Sequence, residues 1–241
     1  MRSCSFFLLS AALLAAPQMA TAAVVIAGTR VVYPAAKQEV TLQLRNPGRQ
    51  PALVQSWIDG EDSIRTAIDS DAPFVIMPPI VRIGPGSSQT LRIVYTGEPV
   101  PEVRESVYWL NILDIPPRPA DIGEKNYMQV SIRSKIKLFF RPAGLQGTPE
   151  KAPEQLQWSL SRRAGKAVLK VANPTDYNIS LSSVELSTGV KQLAVGDGMV
   201  CPGQELEFPL ANDIAVEPGK AGVRYDWIND YGAAISAHQT F

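Results

Sequence analysis

Histidine and cysteine are nearly missing from this chain of 241 residues, which has one His and two Cys. The histidine, His238, lies three residues before the last, in a region where chains often fray, so a Ser-His-Asp or Cys-His arrangement has one poorly placed candidate. Zinc and copper sites need clustered imidazoles and thiolates, which these counts do not supply. Cys4 lies in the first few residues and only Cys201 remains beyond them, which excludes a disulfide scaffold and leaves Cys201 as a small half-buried residue near a turn. An excess of one charge is also lacking. The 23 basic and 23 acidic residues balance, so no long-range field directs the chain to nucleic acid or to an anionic membrane. No glycine loop suited to phosphates is present, nor a basic stripe interleaved with aromatics. The carboxylates at Glu61-Asp62 and Asp69/Asp71 stand in polar, loop-like sequence and read as solvated surface rather than a glycosidase pair. These absences together lead us to expect no enzyme, no metal and no cofactor.

Long apolar runs are confined to the start. Arg2, the apolar stretch from Phe6 to Ala16, and Ala20-Thr21-Ala22 have the layout of a secretory signal, with cleavage expected after Ala22 and Ala23 as the alternative. That run is too short to span a bilayer as a helix, and no later segment is long or apolar enough, so no membrane insertion is expected. The remaining chain is long enough for two ordinary cores without staples.

What is present is β-patterned. Short alternating or β-branched runs recur at Val24–Tyr33, Gln38–Arg45, Leu53–Ile58, Gln89–Tyr95 and Val107–Ile112. They are divided by turn signals such as Asn46-Pro47-Gly48 and Gly84-Pro85-Gly86. No convincing amphipathic helix is found, and Glu61–Ile68, the best candidate, is short. A Pro- and Gly-rich break follows Arg141, after which strand patterns resume at Leu156–Leu160, Ala167–Ala172, Tyr177–Leu181, Glu205–Leu210 and Gly222–Ile228. The expected fold class is all-β, with two sandwiches of roughly 120 and 95 residues, each near the size of an immunoglobulin-like domain. The expected division is a signal at 1–22, a first domain at 23–142, a linker at 143–153 and a second domain at 154–241.

One segment stands out, residues 126–142, reading NYMQVSIRSKIKLFFRP. Met128, Val130 and Ile132 fall at period two and would share one face of an extended strand, a row that continues through Ile136, Leu138 and Phe140. Such a strand must be covered by its own domain or find a partner. We assign Ile136, Leu138 and Phe140 to inward packing and the earlier three to a partner. Strict alternation places Lys137 on the opposite face, which a twist, a bulge or a cleft-facing lysine could reconcile.

Several separated motifs now carry a resemblance. In the first half they are Gly28-Thr29-Arg30-Val31-Val32-Tyr33-Pro34, Pro78-Pro79 with Val81-Arg82-Ile83, and Gly84-Pro85-Gly86 before Gln89–Ile93. They continue with Arg104-Glu105-Ser106-Val107-Tyr108-Trp109-Leu110-Asn111, Ile115-Pro116-Pro117, and Lys135-Ile136-Lys137-Leu138-Phe139-Phe140-Arg141-Pro142. Asn173-Pro174-Thr175 and Ile228-Asn229-Asp230-Tyr231-Gly232 follow in the second half. In this order and spacing the chain resembles the periplasmic pilus-assembly chaperones of chaperone–usher systems.

That resemblance implies a boomerang of two immunoglobulin-like domains that binds pilin (fimbrial) subunits by donor-strand complementation and delivers them to an outer-membrane usher. It implies that Arg30 and Lys137 grip a subunit's C-terminal carboxylate, with Thr29 as a hydroxyl donor. Charge-assisted bonds of that kind contribute roughly 1.5–3 kcal/mol each when sheltered. Met128, Val130 and Ile132 become the residues lent to the subunit's groove, worth about 5–9 kcal/mol before ordering costs. Affinity is therefore assigned to the apolar row and register to the cations, with Lys135 a solvated neighbour. Glu105, Arg141 and Asp230 match an ionic link between the domains, suited to fixing an angle more than to raw stability. The compact loop from Pro116 to Lys125 suits the short-loop branch of the family. The competing reading is an exported two-domain module for a carbohydrate or surface ligand. It would need exposed aromatic platforms, whereas Trp57, Trp109, Trp158 and Trp227 all lie in strand-like patterns. Self-association of the unloaded protein is left open.

Overall fold

The computed structural model describes residues 24–60, 72–118, 128–163, 165–189, 192–210 and 222–241. The proposed signal, the helix candidate at 61–68, the carboxylates at 61–62 and 69–71, and most of the loop at 116–125 lie outside the described residues. The described chain is built of β-strands, and they form two sandwiches.

The first sandwich packs a four-stranded sheet of order β1-β3-β7-β5 on a five-stranded sheet of order β2-β9-β8-β4-β6. Its strands are β1 (Val25–Ile26), β2 (Arg30–Pro34), β3 (Val40–Arg45), β4 (Ala52–Asp59), β5 (Phe74–Met77), β6 (Ile80–Ile83), β7 (Ser88–Tyr95), β8 (Ser106–Ile115) and β9 (Ile132–Arg141). Alternate residues point inward, so Leu42, Leu44, Leu91, Ile93, Leu110, Ile112, Leu138 and Phe140 meet in one buried core. Rings thicken one end of it, with Phe140 stacked on Tyr33 at 5.8 Å and near Tyr95 at 4.6 Å.

The second sandwich packs β10 (Gln157–Arg163), β11 (Lys166–Ala172) and β14 (Glu205–Pro209) on a sheet of order β13-β12-β15-β16. These last are β12 (Ile179–Ser187), β13 (Gln192–Val200), β15 (Gly222–Ile228) and β16 (Ala234–Thr240). Trp158, Leu169, Val171, Leu186 and Tyr225 anchor its separate core. Both sandwiches use the same Asn-Pro turn. Asn46 donates to the carbonyls of Gln50 and Ile83 and accepts from Gly48, while Asn173 donates to those of Tyr177 and Val200 and accepts from Thr175. Such buried amides satisfy backbone groups that a turn leaves without ladder partners.

The structure corrects several expectations. The run Val24–Tyr33 is two strands in different sheets. The chain crosses at Gly28, whose φ of +137° a side chain would disfavour. Strands β5, β6 and β13 were not expected. The first two are four residues each, and β13 carries Gly196 and Gly198 where a strand would normally show β-branched residues. A 3-10 turn at Ala152–Gln155 straddles the end of the expected linker.

The segment from 126 is not one strand either. Pairing of β9 with β8 begins at Asp114↔Ile132, so Met128 and Val130 precede the strand. β8 runs into Pro116-Pro117, which cannot donate ladder hydrogen bonds, and the sheet ends there. From Ile132 onward the β8–β9 register is continuous to Ser106↔Phe140. No bulge is therefore needed to place Lys137 opposite the apolar row.

Candidate functional site

Strand β9 is the centre of the site because its two edges differ. One edge pairs antiparallel with β8 along the whole strand. The other pairs with the short parallel strand β2 only from Arg30↔Lys137 to Pro34↔Arg141. Among the described residues, Ile132 to Ile136 have no strand beside them on that side. The sheet thus carries a half-open slot that is blind at one end, where β2 begins. Unpaired edges of this kind are templates for an added strand.

The two faces of β9 also differ. Ile136, Leu138 and Phe140 pack inward on the first core. Ile132 shares their face by alternation but lies beyond the reach of the opposing sheet. It is 48% exposed, and Val130 and Met128 ahead of it are 61% and 88% exposed. Val130 and Ile132 line an open hollow of about 430 Å³ with Pro51, Asp114 and Pro116. These three apolar side chains therefore serve no core of their own.

Toward the end paired with β2, the odd-numbered residues Lys137 and Arg141 reach the second sandwich. Lys137 Nζ donates to Ser180 Oγ on β12 at 2.8 Å. Arg30, register partner of Lys137, donates from Nη1 to the Ile228 carbonyl at 2.9 Å and lies over the Phe139 ring at 5.5 Å. Its Nε is buried without a hydrogen-bond partner. Burial, and then the charge of Arg30, pull the Lys137 ammonium down to about 8 against the weaker opposing pull of Cys201 and Asp197. Burial likewise lowers Arg30. Two half-desolvated cations at the blind end of a strand slot are electrostatically unsatisfied, and a carboxylate reaching both would relieve them. A cavity of about 110 Å³ opens beside Arg30, lined also by Phe139, Trp227, Tyr231 and Ile235. Thr29 is exposed, and a Cβ on Gly232 would lie 2.6 Å from its hydroxyl oxygen. The hydroxyl thus abuts the β15–β16 turn.

The third group of residues bridges the sandwiches. Arg141 donates from Nε to Glu105 Oε1 at 2.8 Å and from Nη1 and Nη2 to the two Asp230 oxygens at 2.6 and 3.0 Å. Glu105 is 3% exposed and also accepts from the backbone N–H of Asn178 at 3.0 Å. Burial raises the Glu105 carboxyl above its ordinary range although Arg141 and Asn178 pull it down. At Arg141 burial loses, and the bonds and charges of Asp230 and Glu105 hold the guanidinium above its usual value.

Sequence reasoning did not single out Ser180, Trp109, the Ile228 carbonyl or Tyr231. Trp109, Ile228 and Tyr231 stand inside motifs named from the sequence, and Trp109 pairs with Lys137 within the first sandwich; Ser180 and the Ile228 carbonyl reach the cations only because two domains meet. Three of the four tryptophans, Trp57, Trp158 and Trp227, are buried and so offer no platform of the kind a sugar-binding module needs. His238 is exposed on β16 opposite Arg224. No group of three or more metal-ligating side chains occurs among the described residues, and no described helix is long and apolar enough to cross a membrane.

Fold and site together define an all-β binding protein of two immunoglobulin-like domains, built around a half-open sheet edge. Comparison with known proteins carries this to a family. Residues 23–146 match the N-terminal domain of PapD, a pili and flagellar-assembly chaperone, and residues 151–239 match the C-terminal domain of the pili assembly chaperone PapD. The probable fimbrial chaperone YadV of Escherichia coli K12 is 38% identical over 218 residues, covering 89% of this chain and 88% of that protein. The chaperone protein FimB/FhaD of Bordetella pertussis is 38% identical over 229 residues, covering 93% and 91%. Among solved structures, the YadV chaperone superposes with a TM-score of 0.78 at 36% identity, covering 91% of this chain and all of that one. The SafB chaperone of Salmonella enterica, solved in complex with the SafA pilin, gives a TM-score of 0.74 at 31% identity, covering 90% and 96%. The chain belongs to the PapD family of fimbrial chaperones.

Proposed function

We propose that this protein captures fimbrial subunits in the periplasm, lends each a strand through the open half of β9, and passes them to an outer-membrane usher. The observation that carries this reading is the blind slot. A strand added beside Ile132–Ile136 cannot continue past Arg30, because β2 occupies the next position. The guest must therefore end there, and two cations at that end favour a chain terminus bearing a carboxylate over one bearing an ammonium. The added strand then runs parallel to β9, collinear with β2. Arg30 and Lys137 take the carboxylate, Thr29 is placed to assist, and Met128, Val130 and Ile132 fill the groove of a subunit that lacks a strand.

The Glu105–Arg141–Asp230 link would hold the second sandwich so that Ser180 and the Ile228 carbonyl present the two cations correctly. In this reading 23–142 and 154–241 are the two working domains, 143–153 joins them, and 1–22 is the export signal, removed on entry to the periplasm. No nucleotide is required if the subunit's folding energy is retained until release. The relatives support the reading by name, and SafB by its pilin complex. The test is co-expression with the fimbrial subunits encoded beside the chaperone. Wild type should co-purify with them from periplasmic extract, whereas Arg30→Ala and Lys137→Ala should fold but return without subunit. Undiminished recovery by both variants would refute the anchor.

A further inference from the structure

The face of β9 that carries Lys137 continues away from the blind end through Lys135 and Arg133, at two-residue intervals of about 6.4–6.8 Å. Both side chains lie on indoles rather than extending freely into water. Lys135 Nζ is 4.6 Å from the centroid of Trp109, the ring that Lys137 also approaches at 5.9 Å. Arg133 lies 4.7 Å over Trp57. The two differ in how their charge is met. Arg133 donates to Asn111 Oδ1 at 2.9 and 2.7 Å and to the fully buried Asp59 at 3.2 Å. Lys135 is exposed, and among the described residues no carboxylate forms an ion pair with it.

Arg30, Lys137 and Lys135 thus place three positive charges around one end of the slot, while a terminal carboxylate brings a single negative charge. In a parallel pair the guest's side chains alternate as those of β9 do, so one of its last residues lies beside Lys135 on the same face. We propose that Lys135 is a specificity residue that reads an acidic side chain, Asp or Glu, at the second or third position from the end of the guest strand, with Trp109 holding the ammonium in place. This rests on the capture reading above.

The probes are short synthetic peptides of alternating Val and Thr with a free C-terminus, carrying Glu, Gln or Lys at the second or third position from the end, together with an amidated control. Binding is followed by the change in Trp109 fluorescence, referenced to Trp109→Phe, and by calorimetry. At one of the two positions Glu should bind about threefold tighter than Gln, the size expected of an exposed opposed pair across strands. Lys135→Glu, checked for an unchanged Tm, should reverse the order in favour of Lys. Equal binding of the Glu, Gln and Lys peptides, with the amidated control still weaker, would overturn the role of Lys135 and leave the anchor standing. Equal binding of the free and amidated forms, or no binding by any peptide, would overturn the capture reading and this inference with it.

Discussion

Replacing Arg141 by alanine tests the joint between the sandwiches most directly. The guanidinium bonds both Glu105 and Asp230, and its loss leaves Glu105 buried with only Asn178 as a described side-chain or backbone donor. Removing one partner of a buried ion pair typically costs about 3–5 kcal/mol, more than the pair itself contributes, because the remaining charge stays desolvated. Part of this is recovered at Asp230, which is about a quarter exposed, so the lower end of that range is expected. For a chain of this size each kcal/mol is worth roughly 2–4 °C, giving a fall in Tm of about 10 °C. The loss should depend on pH. The Glu105 carboxyl is raised above its ordinary 4.5 in the folded protein, so folding favours its protonated form, and its penalty is complete above the folded pKa and fades as pH falls toward 4.5. Without Arg141 that pKa rises further and the penalty grows. The variant should therefore trail wild type most at pH 7–8 and less at pH 5. Adding Glu105→Gln to Arg141→Ala should restore much of the neutral-pH stability, since the amide oxygen can still accept from Asn178. Scanning calorimetry at both pH values provides the check. A loss under about 1 kcal/mol, or one equal at both pH values with no rescue by glutamine, would refute the argument.

Three further outcomes follow from the site. Changing Val130 and Ile132 to Glu should abolish subunit co-purification while moving stability by no more than about 0.5 kcal/mol, the usual range for exposed positions; a collapsed melting curve would mean that they are core residues. Subunit capture should weaken as pH rises through about 8, where Lys137 loses its proton, and Arg30→Lys should retain this dependence. A flat affinity between pH 6.5 and 9 by surface plasmon resonance would exclude Lys137 as a charged anchor. Gly232→Ala should be destabilising by about 1 kcal/mol or more, because residue 232 has φ of +84° and a Cβ there would press on the Thr29 hydroxyl. Wild-type melting and an unchanged small-angle scattering profile would contradict that contact.

Much of the candidate site is local in sequence, and its residues could be named there. Met128, Val130 and Ile132 announce themselves by period two, and Arg30, Thr29, Lys137, Glu105, Arg141 and Asp230 each stand inside a recognisable motif. The strands missed were those with weak local signals. β13 is built on small residues that fit against β12 and Leu206 rather than on strand formers, and β5 and β6 are cut short by Pro78-Pro79. The extent of strand β9 was misjudged for a different reason. Hydrophobic alternation reaches back from Ile132 to Met128, but a strand exists only where a neighbour accepts its hydrogen bonds, and β8 stops offering them at its prolines.

By itself the sequence determined the class of this molecule: β-patterning throughout, two cores' worth of chain, and an inventory with one histidine and two cysteines. Alternation also decided that Lys137 and the apolar row lie on opposite faces of one strand. Only tertiary structure decided what each face meets. Pairing with β2 ends at Arg30 and leaves half of β9 open, the second sandwich brings Ser180 and the Ile228 carbonyl to the two cations, and Arg141 finds two carboxylates far from it in the chain. Those partners are 43 to 198 residues distant for the cations and 36 to 89 for the fork. Periodicity reports which way a side chain points, whereas burial, charge and an unfilled edge depend on what folding places opposite it.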